Sequence, residues 1–170
     1  MKYIIIMLFL LLSNFCYSQD MQYADSLSRA KADIVLSHFN GIRASKLLYS
    51  IDDAYFYVLL NEDSILKEYA IVVDSLGNIS SMKELEILEK DKRLLKKSTP
   101  FDLAKYNTGY ITESSNGVDF TFGQLGYFVI KDNNGKRFGE FHSIMPAKNS
   151  PVDLKLWGYI IRKLSVIVDI

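Results

Sequence analysis

Cysteine is almost absent from this chain: its 170 residues hold one, Cys16. Histidine is nearly as scarce, with two, His38 and His142. A lone thiol excludes an internal disulfide, a cysteine–zinc knot and a cysteine-ligated iron–sulfur cluster. Any imidazole chemistry must run through one of the two histidines. Net charge is missing as well, since 20 Lys/Arg balance 20 Asp/Glu. Neither nucleic acid nor an anionic membrane is expected as a partner on that balance. Nor is there a glycine-rich phosphate loop or a Gly-x-Ser-x-Gly nucleophile elbow.

One long hydrophobic run is present, and it lies at the N-terminus. Lys2 precedes an unbroken apolar stretch over 3–12, and Cys16-Tyr17-Ser18 puts small residues three and one positions before a cut between Ser18 and Gln19. Charge, apolar run and small-residue site in that order form the pattern of a secretory signal peptide. Ten apolar residues rise only about 15 Å as a helix, half of a roughly 30 Å hydrocarbon core, so cleavage is expected rather than a permanent span. A bacterial lipoprotein would carry its lipidated cysteine near Cys16. The small residue and leucine that this chemistry favours upstream are replaced by Phe15 and Ser13. The expectation is therefore a signal peptide over 1–18 and one domain over 19–170, working outside the cytoplasm. Removing the signal also removes Cys16, so the exported domain has no thiol.

Hydrophobic periodicity gives an α+β fold. Residues 21–39 read as an amphipathic helix, with Asp20 as its cap and a stripe of Tyr23, Leu27, Ala30 and Ile34 that His38 extends. Strands follow over 47–51, 55–60 and 66–73, with turns at 61–64 and 74–78. Connections this short force antiparallel neighbours. The segment 79–97 carries two patterns, an alternation through Leu85 and Ile87 and a helical face of Leu85, Leu88, Lys92 and Leu95. Its Glu, Lys, Leu and Arg content favours a short strand at 79–82 and then helix. Thr99-Pro100 begins another helix reaching to 106. Strands are expected over 110–113, 118–122, 127–131 and 137–143, and Ser150-Pro151 opens a C-terminal helix. The fold class is thus an N-terminal helix, a mainly antiparallel curved sheet in two groups of strands, an intervening helix and a C-terminal helix.

An internal echo runs through this pattern. Tyr69-Ala-Ile-Val-Val-Asp-Ser-Leu-Gly77 parallels Tyr127-Phe-Val-Ile-Lys-Asp-Asn-Asn-Gly135, and each is followed by a Ser/Thr-Pro-x-Asp-Leu start. Two related halves would produce this, and so would the limited vocabulary of turns and caps.

Candidate chemistry is sparse. Glu140 and His142 lie two residues apart on an expected strand, hence on one face, and a carboxylate orienting an imidazole is the minimum for general-base catalysis. They are the only catalytic pair the sequence offers. Asp52 and Asp53 are adjacent, and on a strand they would point to opposite faces. Asp132-Asn133-Asn134-Gly135 lacks the spacing of a calcium loop and reads as a hairpin turn. No cofactor or metal is expected. Aromatic residues are plentiful: Tyr55, Phe56 and Tyr57 must place rings on both sheet faces, and Phe120 and Phe122 share one. These features lead to a secreted or periplasmic, non-catalytic protein acting by protein–protein contact, in the manner of an envelope accessory, inhibitor or immunity factor. Its contact would be a sheet edge or an aromatic face. An extracytoplasmic hydrolase using Glu140 and His142 is one alternative. A small-ligand carrier with a pocket between helix and sheet is another.

Overall fold

Among the described residues, seven strands in the order β4-β3-β2-β1-β6-β7-β5 make one sheet, with helices on both faces. The computed structural model describes residues 26–98, 107–111, 125–144 and 153–167. The expected signal segment with Cys16, Ser18 and Gln19, the expected Asp20 cap, the expected elements at 99–106 and 118–122, and Ser150-Pro151 lie outside the described residues. Helix α1 covers 26–37 in its described part. The strands are β1 Ser45–Ile51, β2 Tyr55–Glu62, β3 Ile65–Val73, β4 Ile79–Leu85, β5 Asn107–Ile111, β6 Leu125–Lys131 and β7 Arg137–Ile144. Helix α2 is Glu89–Ser98 and α3 is Leu154–Leu164. Six strands pair antiparallel, and β5 runs parallel to β7 at one edge. The α+β class, the helix order and the mainly antiparallel curved sheet agree with the expectation. Among the described residues, no helix is long and apolar enough to cross a membrane.

Both faces of the central strands are buried, which explains the continuous apolar run of Tyr55 to Leu60. On one face Phe56, Val58, Leu60, Ile71 and Val129 pack under α1 residues Val35, Leu36 and Phe39. On the other, Leu47, Tyr57, Leu59, Phe128 and Ile130 meet Leu95 of α2 and Leu156, Ile160 and Leu164 of α3. The aromatic triplet splits as alternation demands, Phe56 toward α1 and Tyr57 toward α3.

Three expectations are corrected. The stripe of α1 is not Leu27, Ala30 and Ile34, all of which are exposed; the buried set is Ser28, Ala32, Val35, Leu36 and Phe39. Both stripes have helical spacing. The one that docks contains polar Ser28, which donates a 2.7 Å hydrogen bond to Asp53 in the β1–β2 turn. His38 accordingly faces solvent, its Nδ1 3.0 Å from the Ile34 carbonyl oxygen. Second, β4 continues to Leu85 and α2 begins only at Glu89. Leu85 is opposite Glu68 in the ladder and buried in the α3-side core, so pairing and burial override the helical preference of its neighbours. Third, the cap of α3 is Asp153, whose side chain accepts from the Lys155 N–H at 2.6 Å.

The echo is geometric as well as sequential. In the β3–β4 hairpin Tyr69 faces Glu84, Ala70 faces Lys83, Ile71 faces Met82, Val72 faces Ser81 and Val73 faces Ile79. Adding 58 to every number yields the β6–β7 register, Tyr127 with His142 through Lys131 with Arg137. Both skip one residue at the same place, Ser80 in the first and Phe138 in the second. The turns match too. Asp74 N–H donates to the Asn78 carbonyl, and its carboxylate accepts from the Leu76 and Asn78 N–H groups. Asp132 does the same with Lys136 and Asn134. Gly77 and Gly135 hold φ of 89° and 81° at equivalent positions, a conformation that favours glycine. Each hairpin is followed by a helix on the same face.

Candidate functional site

Two glutamates are buried in this sheet, one under each layer of helices, and every charge inside a protein demands compensation. Glu140, on β7, faces α1. Its Oε1 accepts from the Tyr127 hydroxyl at 2.5 Å and from Arg29 Nε of α1 at 2.8 Å. Its Oε2 accepts from Arg137 Nη1 at 3.1 Å. Arg137 also reaches Asp33 Oδ1 at 2.8 Å through Nη2, and Lys131 Nζ is 3.0 Å from the same oxygen. Arg29 and Asp33 are one turn apart on α1, so this network pins the helix to the sheet at two points.

A β-bulge makes the cluster possible. Residues three apart on a regular strand point to opposite faces. The extra residue at 138 restores parity, so Arg137, opposite Lys131, and Glu140, opposite Val129, project together toward α1.

Burial pushes the Glu140 carboxyl up, but the bonds from Arg29 and Tyr127 and the Arg137 charge outweigh it. The net shift is below the ordinary glutamate value. Asp33 is treated likewise: partial burial raises it, and Lys131 and Arg137 bring it below its usual range. The Tyr127 phenol moves far the other way, through burial first and the adjacent carboxylate second. It stays a protonated donor throughout the biological pH range.

Glu140 and His142 lie on the same face of β7, opposite Val129 and Tyr127. Both side chains are buried, and the imidazole packs on the Tyr127 ring with centroids 4.8 Å apart. Yet both Glu140 oxygens are committed to Tyr127, Arg29 and Arg137. A carboxylate held this way, with a lowered pKa, is a poor proton acceptor. The geometry is that of a structural anchor.

Glu68 on β3 is the counterpart on the α3 face and is fully buried. Tyr57 donates to its Oε1 at 2.5 Å, and Tyr159 of α3 donates to its Oε2 at 2.9 Å. Lys163 Nζ is 3.2 Å from Oε2. Burial and the neighbouring Glu68 charge drive the Tyr57 hydroxyl well above its ordinary pKa. Sequence reasoning missed this cage. The available signal was a glutamate at an inward position, with the parity of Leu66 and Ala70. Arg29, Asp33, Tyr127 and Arg137 were missed because they come together only once the docking face of α1 and the bulge are known.

Asp52 and Asp53 form the β1–β2 turn, at φ of 53° and 51°. Asp53 is occupied with α1: its carboxylate takes the Ser28 bond and its carbonyl accepts from Lys31 Nζ at 3.0 Å. Among the described residues, no three His, Cys, Asp or Glu side chains converge as a metal site. An open cleft of about 400 Å³ lies where Glu86, Leu88 and Asp91 meet Lys163 and Val166. Another of about 420 Å³ lies between Arg43 and Lys46 and the Asn133-Asn134 turn. Both are surface hollows rimmed by charged or amide groups, unlike the enclosed apolar pockets that hold hydrophobic ligands.

A different feature stands out at the sheet's end. Among the described residues β4 pairs with β3 alone, and Ser80, Ser81, Met82, Lys83 and Glu84 are exposed in succession. Met82 is 49% exposed. Comparison of the chain with protein-family models, with curated proteins and with solved structures finds no match.

Proposed function

We propose that this protein is a secreted or periplasmic, non-catalytic binding protein that acts by protein–protein contact, with the outer edge of β4 as the contact. Export rests on the charge, apolar run and small-residue site of residues 1–18. The observation that carries the binding role is the run of five exposed residues on an edge strand. Such an edge offers a row of unpaired N–H and C=O groups to a second chain. Pairing to it supplies main-chain hydrogen bonds for affinity and alternate side chains for specificity. The hydrolase alternative loses support because Glu140 is saturated by three donors. The carrier alternative loses it because the helix–sheet interfaces are filled by buried side chains.

Adjacent proline substitutions test the reading. On an edge strand, alternate residues turn their N–H inward to the neighbouring strand or outward, so of Met82→Pro and Lys83→Pro one leaves the β3 ladder intact. The tagged full-length chain is expressed in its own cells and recovered from the envelope fraction. A stoichiometric partner is expected with the parent and lost with whichever proline variant keeps the parent's thermal stability. Recovery of no stoichiometric partner, or its retention by that variant, would overturn the proposal.

A further inference from the structure

The identity of the two hairpin registers says what should cover β4. Shifted by 58 residues, β4 becomes β7, β3 becomes β6, and the bulge at Ser80 becomes that at Phe138. The sheet order places β4 and β7 at equivalent distances from the central β1–β2 pair. The outer edge of β7 is occupied: β5 lies on it in parallel, with Asn107 opposite Glu140, Tyr110 opposite His142 and Ile111 opposite Ser143. The positions on β4 that correspond to these three β7 residues are Met82, Glu84 and Leu85. Among the described residues no strand pairs there, and Met82 and Glu84 are exposed.

We infer that β4 receives an extended strand of a partner protein running parallel to it, seated opposite Met82, Glu84 and Leu85 as β5 is seated on β7. This rests on the reading of the protein as a binding module and adds direction, register and partner chemistry. Met82 and Glu84 lie opposite Ile71 and Tyr69, on the α1 face. Lys83 lies opposite Ala70, on the other face. Cross-strand neighbours on one face contact each other, and opposite charges there attract. A parallel partner strand therefore presents an apolar residue to Met82, an acidic residue near Lys83 and a basic residue to Glu84, in that sequence order. Direction also separates this partner from a second copy of the chain. Two β4 strands related by a two-fold axis within one continuous sheet would have to pair antiparallel.

Photo-crosslinking in the native envelope tests each element. A benzophenone amino acid is placed singly at Ser80, Met82 or Glu84 of the full-length chain, with exposed Ile65 on β3 and Leu154 on α3 as controls off the β4 strand. The expected result is crosslinks from the three β4 positions to one short segment of one partner, at residue numbers that rise from Ser80 to Glu84. Glu84→Lys is expected to lower the Met82 crosslink yield about two- to fivefold, the range for a lost cross-strand charge pair. Falling residue numbers, or crosslinks to a second copy of the chain, would overturn the parallel strand. Crosslinks from Ile65 or Leu154 but not from β4 would overturn it and leave the binding role standing. An absence of crosslinks from all five positions would overturn both.

Discussion

Arg29 and Glu140 are 111 residues apart in the chain and 2.8 Å apart in the fold. That contact, with the Tyr127 and Arg137 bonds beside it, holds α1 across β6 and β7. Breaking a buried ionic cluster by removing one member leaves the others uncompensated, which costs more than the intact cluster contributes. Glu140→Gln is expected to destabilise the protein by about 2 kcal/mol, less than the roughly 3–5 kcal/mol of a fully buried pair because Arg29 is 43% exposed and partly screened. Tyr127→Phe, which removes one donor and leaves the ion pairs, should cost about 1 kcal/mol. Urea unfolding at neutral pH measures both, and equal losses would refute the hierarchy.

The same cluster sets an acid limit. The Glu140 pKa lies below the ordinary glutamate value in the folded state, so the unfolded chain takes up its proton first as pH falls. The stabilisation is complete above the unfolded pKa of about 4.3 and disappears as pH falls through the lower folded value. Asp33 adds a loss of the same sign, through Lys131 and Arg137. The stability gap between parent and Glu140→Gln should therefore be constant from pH 7 to about pH 5 and shrink below about pH 4. Denaturation midpoints across that range would show it, and a gap that stays constant down to pH 3 would exclude Glu140 as its source.

Hydrophobic patterning located β1, β2, β3 and β6 because the middle of each strand is buried, and burial is what that patterning records. It failed for α1, where two apolar stripes compete and the docking one is chosen by Ser28 and Arg29, polar residues that a hydrophobic count discards. It found β4 only over 79–82, because an exposed edge strand has little hydrophobic pattern and its register with β3 carries it on to Leu85. Glu140 and His142 were found as a pair because strand parity is local. Their chemistry was not legible, since the groups that decide it arrive from α1 and from across a bulge.

Gly126 has no room for a side chain on the α3 side of the sheet. A Cβ there would sit 2.4 Å from Cε2 of the Tyr49 ring and 2.8 Å from its hydroxyl oxygen. Tyr49 cannot easily swing away, being buried, packed on Phe128 at 4.4 Å between centroids and hydrogen-bonded by Trp157 Nε1 at 3.3 Å. Overpacking of this kind costs about 1–3 kcal/mol. Gly126→Ala should lower the melting temperature and shift the fluorescence of Trp157, the single tryptophan. An unchanged emission spectrum would mean that Tyr49 stays in place and the backbone yields instead.

The Glu68 cage separates the value of a buried ion from the cost of breaking it. Glu68→Leu alone strands the Tyr57 and Tyr159 hydroxyls and leaves Lys163, which still donates to the Glu86 carbonyl, without its counter-charge; it should cost about 3 kcal/mol. Replacing the group together, with Glu68→Leu, Tyr57→Phe, Tyr159→Phe and Lys163→Met, removes every polar atom that needed the carboxylate. That variant should recover most of the loss, and equal stability to the parent is within the range for such swaps. If the quadruple variant is no more stable than Glu68→Leu, the cage contributes more than its desolvation costs.

The β2–β3 hairpin closes through Asp63 and Ser64, two non-glycine residues at φ of 48° and 72°. Glu62 opposite Ile65 leaves those two as the whole loop, the arrangement whose mirror-image turn matches strand twist. Aspartate tolerates the left-handed region through local hydrogen bonding, whereas serine gains less and its Cβ meets the following carbonyl. Ser64→Gly removes that clash at an exposed position, though it widens the conformational freedom of the unfolded chain. The Asp-Gly pair is a favoured sequence for this turn, so the relief should prevail by about 0.5 kcal/mol. Ser64→Val should act in the opposite direction by more than that, since a β-branched residue fits this region worst. Thermal melts of the two variants give opposite signs if the turn holds this geometry, and the same sign if the loop relaxes to another one.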